Sequence, residues 1–127
     1  MKAIIIGFLA ALASTGAAHA QKLSNTEINT LMKGATAELQ GSGPAVSYEF
    51  AADGTAKVRH RTSIGKREEW QYDEGTWWTK PHGIFCMKCR TFLNAQQICH
   101  SMVKDGDTVQ LQGANGPVGR PWKLSRK

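Results

Sequence analysis

The sequence is poor in the residues and motifs that would identify a reaction. Its 127 residues include three cysteines and four histidines, and none of these falls in a recognisable catalytic motif. After residue 20, no apolar run is long enough to span the roughly 30 Å hydrocarbon core of a bilayer. Nucleic-acid recognition motifs, internal repeats and low-complexity tracts are also lacking. These absences argue against a familiar enzyme, a membrane-spanning protein and a nucleic-acid-binding protein, and we predict no cofactor.

The first twenty residues have the layout of a secretory signal peptide. Lys2 supplies a positive start, an apolar run covers 3–12, and Ala18-His19-Ala20 precedes Gln21. This cleavage pattern predicts removal of 1–20 and export of 21–127 as a single small domain, to the periplasm or outside the cell. Loss of Lys2 lowers the formal net charge from +6 to +5, which favours association with anionic lipid headgroups or wall polymers.

One short helix is expected at the start of the exported chain. Ser24 and Glu27 are spaced as a capping box, and Leu23 precedes them as a hydrophobic staple. Apolar residues at 28, 31, 32 and 35 recur at helical spacing, and Gly34 is a typical helix stop.

From residue 46 onward the apolar period changes to two, which predicts strands. Val46, Tyr48 and Phe50 alternate with polar residues, and Asp53-Gly54 is a hairpin signal. Later turn residues divide the chain into short strands near 66–72, 76–80, 84–89, 96–103, 107–112 and 117–124. The spacing predicts a mainly β domain, an antiparallel barrel or sandwich of about seven or eight short strands with one N-terminal helix.

The tryptophans divide between the two faces of the predicted sheet. Trp77 and Trp78 are adjacent, so one faces the interior and the other is a candidate aromatic contact on the outside. Trp70 and Tyr72 share a face, and we expect both in the core. Pro121 predicts an edge strand or a bent strand, because proline lacks the amide that a ladder requires.

Three cysteines in an oxidising compartment predict one disulfide and one remaining thiol. Cys86 and Cys99 fall on consecutive predicted strands, and closing this loop is worth about 3 kcal/mol in the chain-entropy model. We therefore predict a Cys86–Cys99 disulfide. Cys89 is then a free thiol or joins a second molecule, which would give a dimer.

Two further hypotheses use the same stretch. Cys86 and Cys89 form a Cys-x-x-Cys pair, but no thioredoxin-like pattern surrounds them. Cys86, Cys89, Cys99 and His100 are weak candidates for a zinc or copper(I) site, because the adjacency of Cys99 and His100 makes joint ligation awkward. A covalent haem motif is absent, since Arg90 follows Cys89.

A basic set is the best-founded candidate site. Three of its members alternate along one predicted strand and line one face, and two follow across a tight turn. Such a ladder suits an anionic ligand such as a phosphate or a carboxylate polymer. The alternative is a solvated outer face balanced by neighbouring glutamates. On the same strand, His60 is expected on the inner face. The set comprises Lys57, Arg59, Arg61, Lys66 and Arg67.

Several short motifs run from Leu23 to about Leu124. They are Leu23-Ser24-Asn25-Thr26-Glu27-Ile28, Phe50-Ala51-Ala52-Asp53-Gly54-Thr55, Gly75-Thr76-Trp77, Cys86, Cys99, Asp105-Gly106 and a glycine-rich closing strand. With them the chain resembles the domain of unknown function 995 family of small exported proteobacterial proteins. The resemblance implies a small β-rich domain with cysteines at 86 and 99 and no assigned activity. Cys89 departs from the family pattern.

Together these features predict a non-enzymatic exported binding or envelope-accessory protein. Its expected partner is an anionic envelope surface or a protein, contacted through the basic set and whichever tryptophan lies outside. One alternative is a small β-barrel inhibitor of a wall-degrading or host enzyme. Another is a metal-binding or thiol-redox protein that uses the Cys86–His100 stretch.

Overall fold

The computed structural model of the protein describes residues 21–64 and 67–126. The predicted signal segment 1–20 and Lys66 lie outside these residues. The elements in chain order are β1 (Gln21–Lys22), α1 (Asn25–Met32), β2 (Ala35–Leu39), β3 (Val46–Phe50), β4 (Thr55–Ile64), β5 (Arg67–Lys80), β6 (Ile84–Cys89), a 3-10 segment (Phe92–Ala95), β7 (Ile98–Asp105), β8 (Thr108–Gly113) and β9 (Gly116–Arg126).

Eight strands form a closed antiparallel barrel. Each strand from β2 to β8 pairs with the strand that follows it in sequence, and β9 pairs back to β2. Closing the sheet into a ring pairs the strand edges that an open sheet would leave exposed. The two-residue strand β1 is added to β7. The mainly β, antiparallel barrel with one helix that we predicted is therefore confirmed.

The two ends of the barrel differ in how they are closed. The turns 51–54, 81–83 and 106–107 are at the end of the barrel where α1 leads into β2, and we call this the helix end. The opposite end carries the connections 40–45, 90–97 and 114–115, and we call it the hairpin end.

Aromatic side chains fill the barrel interior. Phe50 and Phe85 are 1% and 0% exposed, and the Trp122 ring centroid lies 5.8 Å from that of Phe50 and 5.7 Å from that of Phe85. The ring of Tyr48 lies 5.1 Å from Trp122, and the ring of Trp77 lies 5.9 Å from Phe50. The barrel is therefore packed by its own side chains.

Helix α1 covers the helix end with two buried residues. The predicted capping box is confirmed: the Glu27 amide donates to Ser24 Oγ (3.1 Å), and the Ser24 amide donates to Glu27 Oε1 (2.8 Å). Ile28 and Met32 are both 0% exposed and join the core. The chain turns away at Gly34, whose φ of +78° is readily adopted only by glycine.

Two parts of the predicted strand pattern were wrong. Ala35, placed on the helical stripe, instead begins β2, a strand that the sequence did not reveal. The expected break at 73–75 is absent, because β5 runs without interruption from Arg67 to Lys80. Gly75 serves a close approach instead of a turn: a Cβ there would lie 2.0 Å from the Lys88 carbonyl oxygen on β6.

Strand β9 lies inside the sheet but contains a bulge. The pairing with β8 shifts register between Val109 and Leu111, which face Trp122 and Val118. Pro121 lies within this irregularity, where the ladder does not need its missing amide. The bent strand that Pro121 predicted is confirmed, and the edge strand is not.

Strands β4 and β5 extend past their neighbours at the hairpin end. Strand β3 pairs with β4 only as far as His60, and β6 pairs with β5 only from Gly75. The β4–β5 ladder nevertheless continues to the pair Ile64–Arg67. Residues 61–64 and 67–70 therefore form a two-stranded projection, which we call the projecting hairpin.

Candidate binding surface

The two faces of β5 carry tryptophans in different environments. Trp77 points into the barrel, is 5% exposed and donates a hydrogen bond from Nε1 to the Ala51 carbonyl (2.8 Å). Trp78 lies on the outer face and is half-buried. Because side chains alternate along a strand, Trp70 and Tyr72 share that outer face. Tyr72 is 72% exposed, so the expectation that Trp70 and Tyr72 belong to the core was wrong.

Cations line the outer face of β4 beside these aromatic rings. Lys57, Arg59 and Arg61 are all exposed, in the alternation that we predicted. In register, Arg59 faces Tyr72 and Arg61 faces Trp70. The guanidinium carbons of Arg59 and Arg61 lie 4.8 and 4.7 Å from the Trp70 ring centroid. Cation–π contact at this distance orients a guanidinium group while its edge still offers hydrogen-bond donors.

Acidic neighbours neutralise part of the basic set. Arg61 Nη1 lies 3.0 Å from Glu68 Oε1, and Arg67 Nη2 lies 3.1 Å from Glu69 Oε2. Both ion pairs are exposed, so each contributes little to stability. Lys66 lies outside the described residues. For Arg61 and Arg67, the solvated and balanced outer face that we weighed as the alternative fits the geometry.

A groove of about 350 Å³ lies on the outer surface beside the other cations. Tyr72 forms its exposed aromatic wall, and Arg90, from the connection after β6, joins Lys57 and Arg59 along it. Across residues 21–64 and 67–126, none of these three cations takes part in an ion pair within 4.0 Å. The groove also contains Ser47, Glu49 and Glu74.

The connection 90–97, which we call the mouth segment, folds over the hairpin end. Asp73 Oδ2 accepts hydrogen bonds from the amides of Thr91 (2.7 Å) and Phe92 (2.8 Å). Burial acts to raise the pKa of Asp73, but the amide donors outweigh it and lower that pKa to about 2. The Phe92 ring packs 4.8 Å from His60 and 6.0 Å from Tyr48. The inner-face position expected for His60 is therefore confirmed.

The mouth segment holds an unusual backbone conformation. Leu93, Asn94 and Ala95 have φ values of 60°, 58° and 59°, three consecutive non-glycine residues in the left-handed region. This region is unfavourable for residues with a Cβ, by roughly 1–2 kcal/mol each. The contacts of Asp73 and Phe92 hold the segment in place. Sequence reasoning missed Asp73 because 73–75 looked like a turn.

The cysteines divide between the two faces of the barrel wall. Cys86 and Cys99 are directly opposite each other on β6 and β7, and their sulfur atoms lie at bonding distance, which supports the predicted disulfide. Cys89 faces the interior and is 3% exposed. Burial and then the Asp73 carboxylate raise the pKa of Cys89 to about 11. The thiol is therefore protonated at neutral pH and shielded from a second molecule.

This arrangement separates the residues of the redox and metal hypotheses. Cys86 bonds to Cys99 on the outer face, whereas Cys89 lies on the opposite face of β6. A Cys86–Cys89 redox pair would require the strand to unfold. Throughout the described chain, no group of three or more histidine, cysteine, aspartate or glutamate side chains is placed to hold a metal ion.

Among the described residues, no helix has both the length and the apolar character needed to cross a membrane.

Comparisons with known proteins do not add a relative. Comparison with protein-family models, with curated proteins and with solved structures gives no match. The resemblance to the domain of unknown function 995 family therefore stays a prediction.

Proposed function

We propose that the protein is a non-enzymatic exported binding module that associates with an anionic component of the cell envelope. One observation carries the proposal. Arg59, which forms no ion pair within the described residues, stands beside Tyr72, which is 72% exposed. Arginine and tyrosine are enriched at protein interfaces, because both offer broad contact area together with hydrogen-bond donors.

The packing of the barrel supports an outer site over an inner one. Some eight-stranded barrels hold one small ligand in an open interior. Here that space is occupied by Phe50, Phe85 and Trp122, whose ring centroids lie 5.5 to 5.8 Å apart. A ligand inside would have to displace this aromatic core, so the outer face of β4 and β5 is the better site.

Charge reversal tests the proposal. We expect the triple variant Lys57→Glu, Arg59→Glu and Arg61→Glu to lose at least tenfold in co-sedimentation with a purified envelope fraction. The matched control is Lys33→Glu, Lys80→Glu and Lys123→Glu, which changes three exposed lysines elsewhere by the same total charge. Equal losses in both variants would mean that only net charge matters, and the proposed surface would be wrong.

Export is the part of the proposal that rests on the N-terminal sequence and, more weakly, on the disulfide. Intact mass spectrometry of the protein from a periplasmic or culture fraction would test it. We expect a chain that starts at Gln21 and, after denaturation, alkylates at Cys89 alone. A chain that starts at Met1 with three alkylated cysteines would contradict both expectations.

A second candidate function is inhibition of a wall-degrading enzyme. The projecting hairpin favours it, because residues 61–64 and 67–70 extend beyond the barrel and could enter a cleft. Inhibition of a purified muramidase at stoichiometric concentration, lost on exchange of Arg61 and Trp70 for alanine, would support it. Unchanged muramidase activity would leave the envelope-binding proposal in place.

A further inference from the structure

The groove beside Tyr72 contains charged side chains of both signs that the fold leaves unpaired. Glu49 on β3, Lys57 on β4 and Glu74 on β5 lie directly opposite one another. Even so, the ion pairs found among residues 21–64 and 67–126 involve other side chains, and none of these three lies within 4.0 Å of an opposite charge. Both donors and acceptors are therefore available to a ligand.

We propose that this groove binds an acidic polysaccharide, a glycan chain that carries carboxylates. The inference rests on the proposed function and names the chemistry of the envelope partner. Arg59 and Arg90 supply the donors that pair with a carboxylate. Glu49 and Glu74 accept hydrogen bonds from sugar hydroxyls, which both donate and accept. The exposed ring of Tyr72 covers the apolar C–H face of a sugar.

The position of Arg90 is fixed by the backbone around it. Its amide donates a hydrogen bond to the Glu74 carbonyl (3.0 Å), and the next amide, of Thr91, donates to Asp73 Oδ2 (2.7 Å). Asp73 is therefore a positioning residue: it holds the start of the mouth segment so that Arg90 lines the same groove as Arg59. Three strands and one connection thus contribute to a single surface.

A single-stranded nucleic acid fits this surface less well. Such strands need free aromatic faces for stacking and a groove of one charge sign for the phosphates. The Trp70 ring is already covered by the guanidinium groups of Arg59 and Arg61. Glu49 and Glu74 would repel a ligand that carries a phosphate on every residue. Each sugar of a carboxylated glycan also carries hydroxyl groups that can donate to these two glutamates, which the deoxyribose of a DNA strand does not offer.

A bilayer surface also fits less well, because the groove lacks an apolar side chain that could insert. Within the described chain, the exposed large hydrophobic residues are Tyr72 and Leu93, and only Tyr72 lies in the groove. The groove volume of about 350 Å³ is near the lower end of the range for small-ligand sites. It suits one or two sugar residues of a longer chain that passes across the surface.

Calorimetric titration with defined oligosaccharides tests the inference. The probes are the hexamers of galacturonate, guluronate and hyaluronan, with methyl-esterified hexagalacturonate as the uncharged match for the first. We expect saturable binding of at least one acidic hexamer. For hexagalacturonate, the ester should bind at least tenfold more weakly. For whichever hexamer binds, Arg59→Gln and Tyr72→Ala should each weaken binding at least tenfold, while Tyr72→Phe and the control Lys123→Gln change it less than twofold.

Several outcomes would overturn the inference. These are no binding of any acidic hexamer, equal binding of the ester, or no effect of Arg59→Gln and Tyr72→Ala. Tighter binding of a twelve-residue oligothymidylate, or of phosphatidylglycerol vesicles, would also reject it in favour of those ligands. If the hexamers fail while the charge-reversed triple still loses envelope association, the proposed function stands and only the glycan is wrong. If both fail, both proposals fall.

Discussion

The helix end and the hairpin end of the barrel are closed by different physical means. At the helix end, Ile28 and Met32 are 0% exposed, and Arg126 from β9 donates hydrogen bonds to the carbonyls of Thr30 (2.7 Å) and Leu31 (2.6 Å) at the end of α1. At the hairpin end, the mouth segment has no regular helix and holds three left-handed residues. Its anchor is one carboxylate and one half-buried ring.

The helix end is expected to be the more stable one, whereas the candidate groove runs along the outer wall of β3, β4 and β5 and reaches the hairpin end at Arg90. Buried apolar contacts make a region resist local opening, whereas exposed backbone and few buried contacts make it open more readily. The helix end has buried apolar contacts, through Ile28 and Met32. At the hairpin end, residues 92–95 of the mouth segment include no buried side chain, and the same segment carries Arg90 of the candidate groove. A region that must adapt to a ligand is expected at the less stable end of a fold.

The largest effect that would test this comparison is a core truncation at each end. We expect Ile28→Ala to lower the free energy of unfolding by about 2–5 kcal/mol, because it leaves a cavity under α1. Phe92→Ala should cost less, about 1–2 kcal/mol, because the ring is only half-buried. Urea denaturation followed by tryptophan fluorescence measures both. A larger loss for Phe92→Ala would reverse the assignment of the stable end.

The next effect concerns the disulfide, which closes the loop that contains the mouth segment. Replacing Cys86 and Cys99 together with alanine should lower the free energy of unfolding by about 3 kcal/mol, because the unfolded chain regains entropy. Amide hydrogen exchange should also rise first at 90–97. Exchange that rises first in α1 would show that the disulfide supports the helix end instead.

A smaller effect is expected from Asp73→Asn, which weakens two amide hydrogen bonds and should cost about 1 kcal/mol. The pKa of Asp73 is about 2 in the fold, below its ordinary value of 3.8. The contribution of Asp73 to the free energy of unfolding is therefore complete above its ordinary pKa, and it is lost as the pH falls from about 4 toward 2. Between pH 4 and pH 2, the free energy of unfolding should therefore fall less in Asp73→Asn than in the unchanged protein.

The alkylation rate of Cys89 gives a second test of the contact between Asp73 and the mouth segment. The thiol is 3% exposed beneath the hairpin end, so its alkylation in the folded protein reports opening of that end. We expect Asp73→Asn to speed alkylation of Cys89 by at least fivefold under native conditions at pH 8, partly through opening and partly because loss of the Asp73 carboxylate lowers the pKa of the thiol. The Lys123→Gln protein serves as the control. Equal rates in the two proteins would show that Asp73 does not hold the mouth segment closed.

The smallest effect should come from the surface ion pairs. Glu68→Gln removes the ion pair with Arg61 but leaves the contact of Arg61 with Trp70, and we expect a change in unfolding free energy below about 0.5 kcal/mol, because exposed ion pairs contribute little. Thermal unfolding by circular dichroism measures it. A loss of several degrees in Tm would mean that the projecting hairpin is part of the stable body and not an appendage.

Local signals in the sequence predicted the parts of the fold that depend on near neighbours. The Ser24–Glu27 capping box and the Asp53-Gly54 turn are contacts within a few residues, so their residue types indicate their geometry. Strand β2 was missed because Ala35 and Ala37 have little preference for a strand, and pairing with β3 and β9 decides their conformation. Such long-range pairing cannot be recognised from the residue types of a five-residue segment.

The site was harder to predict than the fold. Alternation located the cations of β4 on one face, but it did not determine the register of β5. With Trp77 and Trp78 adjacent, either face could have been the inner one, and Tyr72 was placed on the wrong face. Gly75 resembled a turn residue, although its role depends on the approach of Lys88 from β6. The groove residue Arg90 could be found only from the folded path of the mouth segment.

The order of the strands has a consequence for how the chain reaches this structure. Seven of the eight pairings that close the ring join strands that are consecutive in sequence, and only β2 with β9 joins distant segments. Hairpins form quickly because their loops are short, whereas distant contacts pay a larger entropy of loop closure. The pairing of Ala35 with Arg126 is therefore expected to be the late, slow step of folding. The same seam places the end of β9 beside the start of β2, so the ring cannot close before its last strand is available.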